Sequence, residues 1–277
     1  MPNYDLHCHS TASDGTLSPT DLVKRASLAG VDYLALTDHD TTDGLEEAYT
    51  AANEQGMQLI NGCEISVTWN KITLHILGLN LSPDHQPLQN GLAKLREFRQ
   101  WRAEEIGRRL AKSGIEGAFD GASKLARGNL ISRTHFAHFL VAKGHAPDIR
   151  SVFKNYLVNN KPGHVSGQWA ELGEVIQWIT QAGGIAVIAH PARYKLTRSK
   201  LLRLIDEFMQ LGGQGIEVVS GSHSKDECYS MAKHARDFNL LASAGSDFHG
   251  PENPWIELGR LPDLPDGCQP VWEHFPK

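Results

Sequence analysis

Residues 184–190 read GIAVIAH. From Ile185 to Ala189 the run is apolar without alternation, the pattern of a strand covered on both faces. It ends on an imidazole. Upstream, Leu172, Val175, Ile176 and Ile179 recur at helical spacing and stop at Ala182-Gly183-Gly184. Downstream come a helical pattern (KLLRLIDEFMQLGG), a strand (GIEVVSG), a helix (KDECYSMAKHARDFN) and a strand (LLASAGSDFHG). Repeated strand–helix units predict a mainly parallel α/β sheet, and right-handed crossovers make it a barrel or an open sheet.

The N-terminal third has the same rhythm. DLHCHSTASDG (5–15) begins as a short strand. Ser18, Pro19 and Asp21 then read as an N-cap, an N1 proline and a capping-box acid. VDYLALTDHD (31–40) is a strand and GLEEAYTAANEQG (44–56) a helix closed by Gly56. MQLINGCEISVTW (57–69) and KITLHILGLNL (71–81) are strands expected to pair as a hairpin. Between residues 84 and 165 the alternation breaks into three helical patterns. They are marked by Leu92, Leu95, Phe98, Arg102, Ile106 and Leu110, then Phe136, Phe139 and Leu140 behind Ser132, then Ile149, Val152, Phe153 and Tyr156. The expectation is one α/β domain from residues 1–83 and 166–277, with 84–165 as an inserted helical cap.

A formal charge of −5, from 27 basic and 32 acidic residues, argues against broad binding of long nucleic acid by charge. The four cysteines form no CxxC pair, so a reducing, cytoplasmic setting without a disulfide framework is expected. No signal peptide is evident, and no apolar run approaches the ~20 residues of a membrane span. The unusual count is 14 histidines.

Their placement is informative. His7, His9, His39, Glu64, His75, His190, Asp247 and His249 fall on or at the ends of apolar runs, and Asp14 follows the first. C-terminal strand ends carry the chemistry of barrel-like α/β proteins. His7 and His9 share a strand face, as do Asp247 and His249, while Cys8 and Cys63 turn away as packing residues. A lone strand-end histidine is ordinarily a hydrogen-bonded structural residue. Nine such groups buried together are costly unless a cation compensates them. Six histidines and three carboxylates exceed the ligand demand of one ion and suit two or three divalent metals. The all-N/O donor set permits Mn, Zn, Fe or Co, with Mn preferred.

Taken together, DLHCHS, LTDHD, GCEIS, LHILGL, AHPAR and GSDFH resemble the successive motifs of the PHP (polymerase and histidinol phosphatase) family, in order along nearly the whole chain. The resemblance implies a distorted (β/α)7 barrel with metals at the strand C-termini. It implies one ion on His7, His9, Glu64 and Asp247, a second on Glu64, His75 and His190, and a third on Asp14, His39 and His249. The inserted helices resemble the stand-alone branch of the family, which holds phosphatases of 3′,5′-nucleotide bisphosphates and 5′-to-3′ exonucleases of short RNA.

The expected reaction is hydrolysis of a phosphate ester by a metal-bridging hydroxide. Candidate phosphate-binding residues are Arg133 and His135 at a helix start, Arg193, Lys195 and Arg198 beyond His190, and Ser222 and His223 after a strand. Arg193 and His223 are the candidate catalytic side chains, His223 as general acid. Two anion sets around one metal cluster point to a substrate with two phosphates, a 3′,5′-nucleotide bisphosphate losing its 3′-phosphate. The alternatives are stepwise hydrolysis of short oligonucleotides, an amidohydrolase-type reaction, and a non-catalytic metal-binding domain.

Overall fold

The computed structural model describes residues 2–128 and 130–275. The elements in chain order are β1 (Tyr4–Cys8), α1 (Pro19–Leu28), β2 (Tyr33–Leu36), α2 (Leu45–Gln55), β3 (Gln58–Trp69) and β4 (Ile72–Leu79). The helices α3 (Gln86–Lys112), α4 (Ala118–Leu125), α5 (Arg133–Ala142) and α6 (Ile149–Val152) follow, the last running into a π-helical turn at Phe153–Leu157. The chain closes with β5 (Ala170–Glu171), α7 (Leu172–Gln181), β6 (Ile185–Ile188), α8 (Arg198–Gln210), β7 (Gly215–Ser220), α9 (Lys225–Asp237), β8 (Leu241–Gly245) and β9 (Gln269–Pro270).

The strands form one sheet in the order β1-β2-β3-β4-β6-β7-β8-β9, with short β5 beside β3. Only β4 runs antiparallel to its neighbours. It is the expected hairpin partner of β3, turned by Asn70 and Lys71 at φ 47° and 65°. Positive φ at both central residues is the type I′ geometry whose twist matches the strands it joins. The sheet curls until β1 meets the segment just beyond β8, so the architecture is a distorted barrel of the expected type. The His9 N–H donates to Phe248 O at 2.9 Å, and the Asp247 N–H to His7 O at 2.8 Å. Gly245 permits the approach, since a Cβ there would lie 2.2 Å from His7 Cβ.

Leu6, Ala35, Leu77, Leu79, Val187 and Leu241 fill the barrel floor. Helices α1 and α2 cover one outer face, and α7, α8 and α9 another. The caps follow local chemistry: Ser18 accepts from the Asp21 N–H, and Ser132 from the Thr134 N–H.

A β-bulge re-aims the first strand. Asp5 pairs with Leu34, but the next pair is Cys8 with Leu36, so β1 carries one extra residue. Leu6 therefore faces the barrel floor, whereas Cys8 packs outward with Leu22, Val23 and Phe248. His7 and His9 share a face opposite Cys8, as expected, but simple alternation from Leu6 would have turned His7 out of the barrel. Asp5 holds the bulge by accepting from the N–H groups of Ser246 (2.8 Å) and Gly259 (2.9 Å).

Helices α3 to α6 gather around Ala103, Ile106, Leu110, Phe136, Leu140, Val152 and Leu157, a cluster apart from the barrel. The first half of α3 instead packs on the barrel through Leu88, Leu92 and Leu95. Helix α4 was not expected. It buries only Ala118 and Ala122 and lets the Phe139 ring pack onto Gly121, so it carries no stripe of large apolar residues to read.

Candidate metal centre and anion cavity

All nine sequence-selected metal-type residues converge at the C-terminal mouth of the barrel. His7 and His9 come from the end of β1, Asp14 from its loop, and His39 from beyond β2. Glu64 and His75 come from the paired strands β3 and β4, His190 from beyond β6, and Asp247 and His249 from beyond β8. Asp247 and His190 hold left-handed backbone, with φ 57° and 28°, a strained conformation that concentrates at functional sites.

Glu64 lies at the centre. Its Oε2 is 3.4 Å from His7 Nε2, 3.3 Å from His9 Nε2 and 2.9 Å from His39 Nδ1. Its Oε1 is 2.9 Å from both His75 Nδ1 and His190 Nε2. Asp247 Oδ1 is 3.5 Å from His7 Nε2 and 3.4 Å from His9 Nε2. Ligand bonds of ~2.0–2.1 Å set the edges of a coordination tetrahedron at ~3.3–3.4 Å, so His7, His9, Glu64 and Asp247 are spaced as ligands of one ion. Asp14 Oδ1 is 3.3 Å from His249 Nε2 and 3.8 Å from His39 Nε2. Candidate ligand atoms of His9, Asp14, His39 and His249 form a second compact group, and those of His39, Glu64 and His75 a third. The first group has the residues that the resemblance implies for one ion; the second adds His9 to Asp14, His39 and His249, and the third has His39 where the resemblance implies His190, so His9 and His39 each stand between two groups.

The residues fit divalent cations on their own evidence. His7 Nε2, both ring nitrogens of His9, Asp14 Oδ1, His39 Nδ1 and Glu64 Oε2 are buried without a hydrogen-bond partner. Buried polar atoms are rarely left so, and here His7 Nε2, His9 Nε2 and His39 Nδ1 crowd around Glu64 Oε2. Burial pushes the carboxyls of Glu64, Asp14 and Asp247 upward, but the surrounding imidazoles, with Arg193 beside Asp247, outweigh it and hold all three well below the usual range. Burial lowers His39 to about 4, leaving a neutral imidazole able to ligate. Burial also disfavours the His9 cation, yet the Asp247 and Glu64 carboxylates beside its Nε2 raise it to about 9, the signature of a ring that seeks positive charge among anions.

A cavity of about 140 Å³ opens beside this cluster. Of the sequence-selected anion residues, Arg133 and Arg193 line it. Arg193 pairs with Asp247 Oδ2 while its side chain stays half exposed. The other five do not reach it. His135 turns back to cap its own helix, its Nδ1 accepting from the Ser132 N–H at 3.0 Å. Lys195, Arg198 and Ser222 are exposed beyond the rim, and His223 lies 3.2 Å from Val218 O through Nδ1.

Sequence reasoning missed several cavity residues. Arg99 and Arg102 come from α3, Phe153 from the π-helical turn, Trp169 from the segment before β5, and Ser66 and Thr73 from the hairpin. Arg99 donates through Nε to Asp40 at 2.5 Å and through Nη2 to Ser66 Oγ at 2.9 Å, bolting α3 to the barrel. Arg102 is buried, stacks 5.4 Å over Trp169, and among the described residues hydrogen-bonds only Val165 O, at 3.4 Å. Arg133 stacks 5.6 Å over Phe153. Burial, then repulsion from Arg133 and Arg99, lowers Arg102 to about 8. One signal was present: Arg102 occupies an apolar-stripe position of α3, where a cation must face inward. Glu217, buried beneath His7, was missed as well.

The PHP domain model matches residues 5–189. The chain belongs to the PHP family. It is 49% identical over 276 residues to a 3′,5′-nucleoside bisphosphate phosphatase from Chromobacterium violaceum, covering 99% of this chain and 97% of that one. It is 47% identical over 272 residues to a 5′-3′ exoribonuclease from Haemophilus influenzae, covering 98% of each. Among solved structures, one described as an amidohydrolase from Chromobacterium violaceum, with bound sulfate and no metal, superposes with a TM-score of 0.96 at 48% identity, covering 99% of this chain and 95% of that one. The PHP barrel is thus established by sequence and by shape. Among the described residues, no helix is long and apolar enough to cross a membrane.

Proposed function

We propose that this PHP chain is a metal-dependent phosphatase that removes the 3′-phosphate of a 3′,5′-nucleoside bisphosphate, leaving the nucleoside 5′-monophosphate. One observation carries the choice of substrate. Among the described residues, buried Arg102 and half-buried Arg133 have no carboxylate partner, and they line the same cavity as the His/Asp/Glu cluster. Buried cations need an anion, and arginine suits the bidentate geometry of phosphate. The cluster takes the phosphate that is cleaved, and Arg102 and Arg133 hold the one that is kept. The Chromobacterium relative, similar along the whole chain, carries the name of the same activity.

In this reading His7, His9, Asp14, His39, Glu64, His75, His190, Asp247 and His249 hold two or three divalent ions, with Mn²⁺ preferred for the N/O donor set. Such ions supply Lewis-acid charge for phosphoryl oxygens and acidify a bound water. Arg193 adds a cation at the cluster's edge, the right side for the negative charge that builds on the phosphoryl group. The helical segment over residues 84–165 acts as the cap that carries Arg99, Arg102 and Arg133. Four free thiols, three of them buried, suit a reducing cytoplasm.

A second reading uses the same cavity. A short 5′-phosphorylated oligonucleotide would seat its terminal phosphate on Arg102 and Arg133 and its first phosphodiester at the cluster, as the name of the Haemophilus relative invites. The two are separated by assaying a nucleoside 3′,5′-bisphosphate, the matching 3′-monophosphate and a 5′-phosphorylated trinucleotide side by side. The bisphosphate is expected to give the highest kcat/KM. Equal turnover of bisphosphate and 3′-monophosphate would remove the two-phosphate argument, and preference for the trinucleotide would favour the exonuclease.

A further inference from the structure

We propose that Glu217 is a positioning residue of the metal centre, one carboxylate that fixes the donor atom of His7 and the backbone of His190 together. The inference rests on the metal reading of the nine-residue cluster and adds to it a group that is not a ligand.

Glu217 sits in β7, in the run Gly215–Ser220. Its neighbours Ile216, Val218 and Val219 pack outward against the helices. The β7–β8 pairing slips between Glu217 and Val219, a bulge that separates the inward carboxylate from the apolar residues beyond it. The Glu217 side chain is fully buried. Its Oε1 lies 2.9 Å from His7 Nδ1, and its Oε2 accepts from the His190 backbone N–H at 2.5 Å.

Both contacts have consequences for ligation. Both Glu217 oxygens are placed as acceptors, Oε2 for the His190 N–H and Oε1 for the imidazole, so His7 presents Nδ1–H to it. The lone pair of a neutral His7 is then on Nε2, the atom that faces Glu64 Oε2 at 3.4 Å and Asp247 Oδ1 at 3.5 Å. The carboxylate thereby selects the tautomer that ligates, as partners behind metal-bound histidines commonly do. His190 lies beyond the end of β6 in left-handed backbone, φ 28° and ψ 56°. Glu217 gives its N–H a partner there, which keeps the ring turned so that Nε2 stands 2.9 Å from Glu64 Oε1. Two imidazoles from strands that are not neighbours in the sheet thus depend on one side chain.

Glu217→Gln tests this, because the amide has nearly the same shape but offers one acceptor and one donor group. It cannot accept from both N–H groups. Chelator-stripped wild type and variant are titrated with Mn²⁺ against a chromophoric chelator, and the thermal midpoint of each metal-free protein is recorded. The expected result is ~10–100-fold weaker Mn²⁺ binding, a metal-free midpoint close to wild type, and an unchanged KM for the nucleoside bisphosphate at saturating metal. Ser243→Ala, which alters the residue paired with Glu217 across β8, is expected to bind Mn²⁺ as wild type does. Should Glu217→Gln not fold, Glu217→Asp, whose shorter arm cannot span both partners, is read in the same way. Wild-type affinity in the folded variant overturns the proposal, as does equally weakened binding in Ser243→Ala. Failure of the wild type to bind Mn²⁺ at all overturns the metal reading instead, so the two failures are distinguishable.

Discussion

Replacing Arg102 by methionine separates binding from stability, because a near-neutral change in stability is expected beside a large loss on one substrate only. Methionine keeps the length and apolar stem while removing the guanidinium. In the structure that guanidinium is buried next to Arg99 and Arg133, stacked on Trp169, with Val165 O as its hydrogen-bond acceptor. Exchanging a poorly compensated buried charge for an apolar group of similar volume stabilises by ~1–4 kcal/mol. Against this stand the stacking contact, ~0.5–2 kcal/mol, and one hydrogen bond, ~1 kcal/mol. The balance is centred near zero, between ~2 kcal/mol lost and ~2.5 kcal/mol gained. Binding falls in every case. A hydrogen bond to a charged phosphate contributes ~1.5–3 kcal/mol, so kcat/KM for a nucleoside 3′,5′-bisphosphate should fall roughly 10- to 150-fold. A nucleoside 3′-monophosphate, which lacks the phosphate that Arg102 is proposed to hold, should be turned over nearly as by wild type. Urea denaturation supplies the first quantity and steady-state kinetics on both substrates the second. A variant destabilised by more than ~2 kcal/mol, with equal losses on both substrates, would refute the reasoning and make Arg102 a structural residue.

Further outcomes follow from the same geometry. Arg99→Met strands the fully buried Asp40 carboxylate, leaving it the Ser66 N–H at 2.7 Å, and should cost ~3–5 kcal/mol in denaturant unfolding. Gly245→Ala places a methyl group 2.2 Å from His7 Cβ, so the barrel seam must open; a loss of ~1–3 kcal/mol with weakened Mn²⁺ binding by titration is expected. Ser132→Ala removes the acceptor that caps α5 next to Arg133, lowering stability by ~1 kcal/mol and raising KM for the bisphosphate. Chelation should abolish phosphate release and added Mn²⁺ restore it; undiminished activity in protein shown by elemental analysis to be metal-free would sink the metal mechanism.

The sequence by itself determined what depends on spacing along the chain. The apolar run at Ile185–Ile188 and its companions predicted the parallel strands, and short-range chemistry marked the caps at Ser18 and Ser132 and the β3–β4 hairpin. The nine metal-type residues were legible because strand ends of an α/β barrel point to one mouth, so a repeated position in the pattern becomes a common place in space. Tertiary structure decided the rest. The bulges in β1 and β7 set which way His7 and Glu217 face, and a bulge depends on pairing between strands that sequence periodicity does not encode. The cavity was decided by how α3 lies across the barrel, tied by Arg99 to Asp40, since that angle brings Arg102 beside the His/Asp/Glu cluster and over Trp169, which Thr68 and Thr73 hold on the hairpin. Lys195, Arg198, Ser222 and His223, on the segments after β6 and β7, stay outside the cavity. A charge on a loop announces its chemistry in sequence, but only packing fixes the direction in which it points.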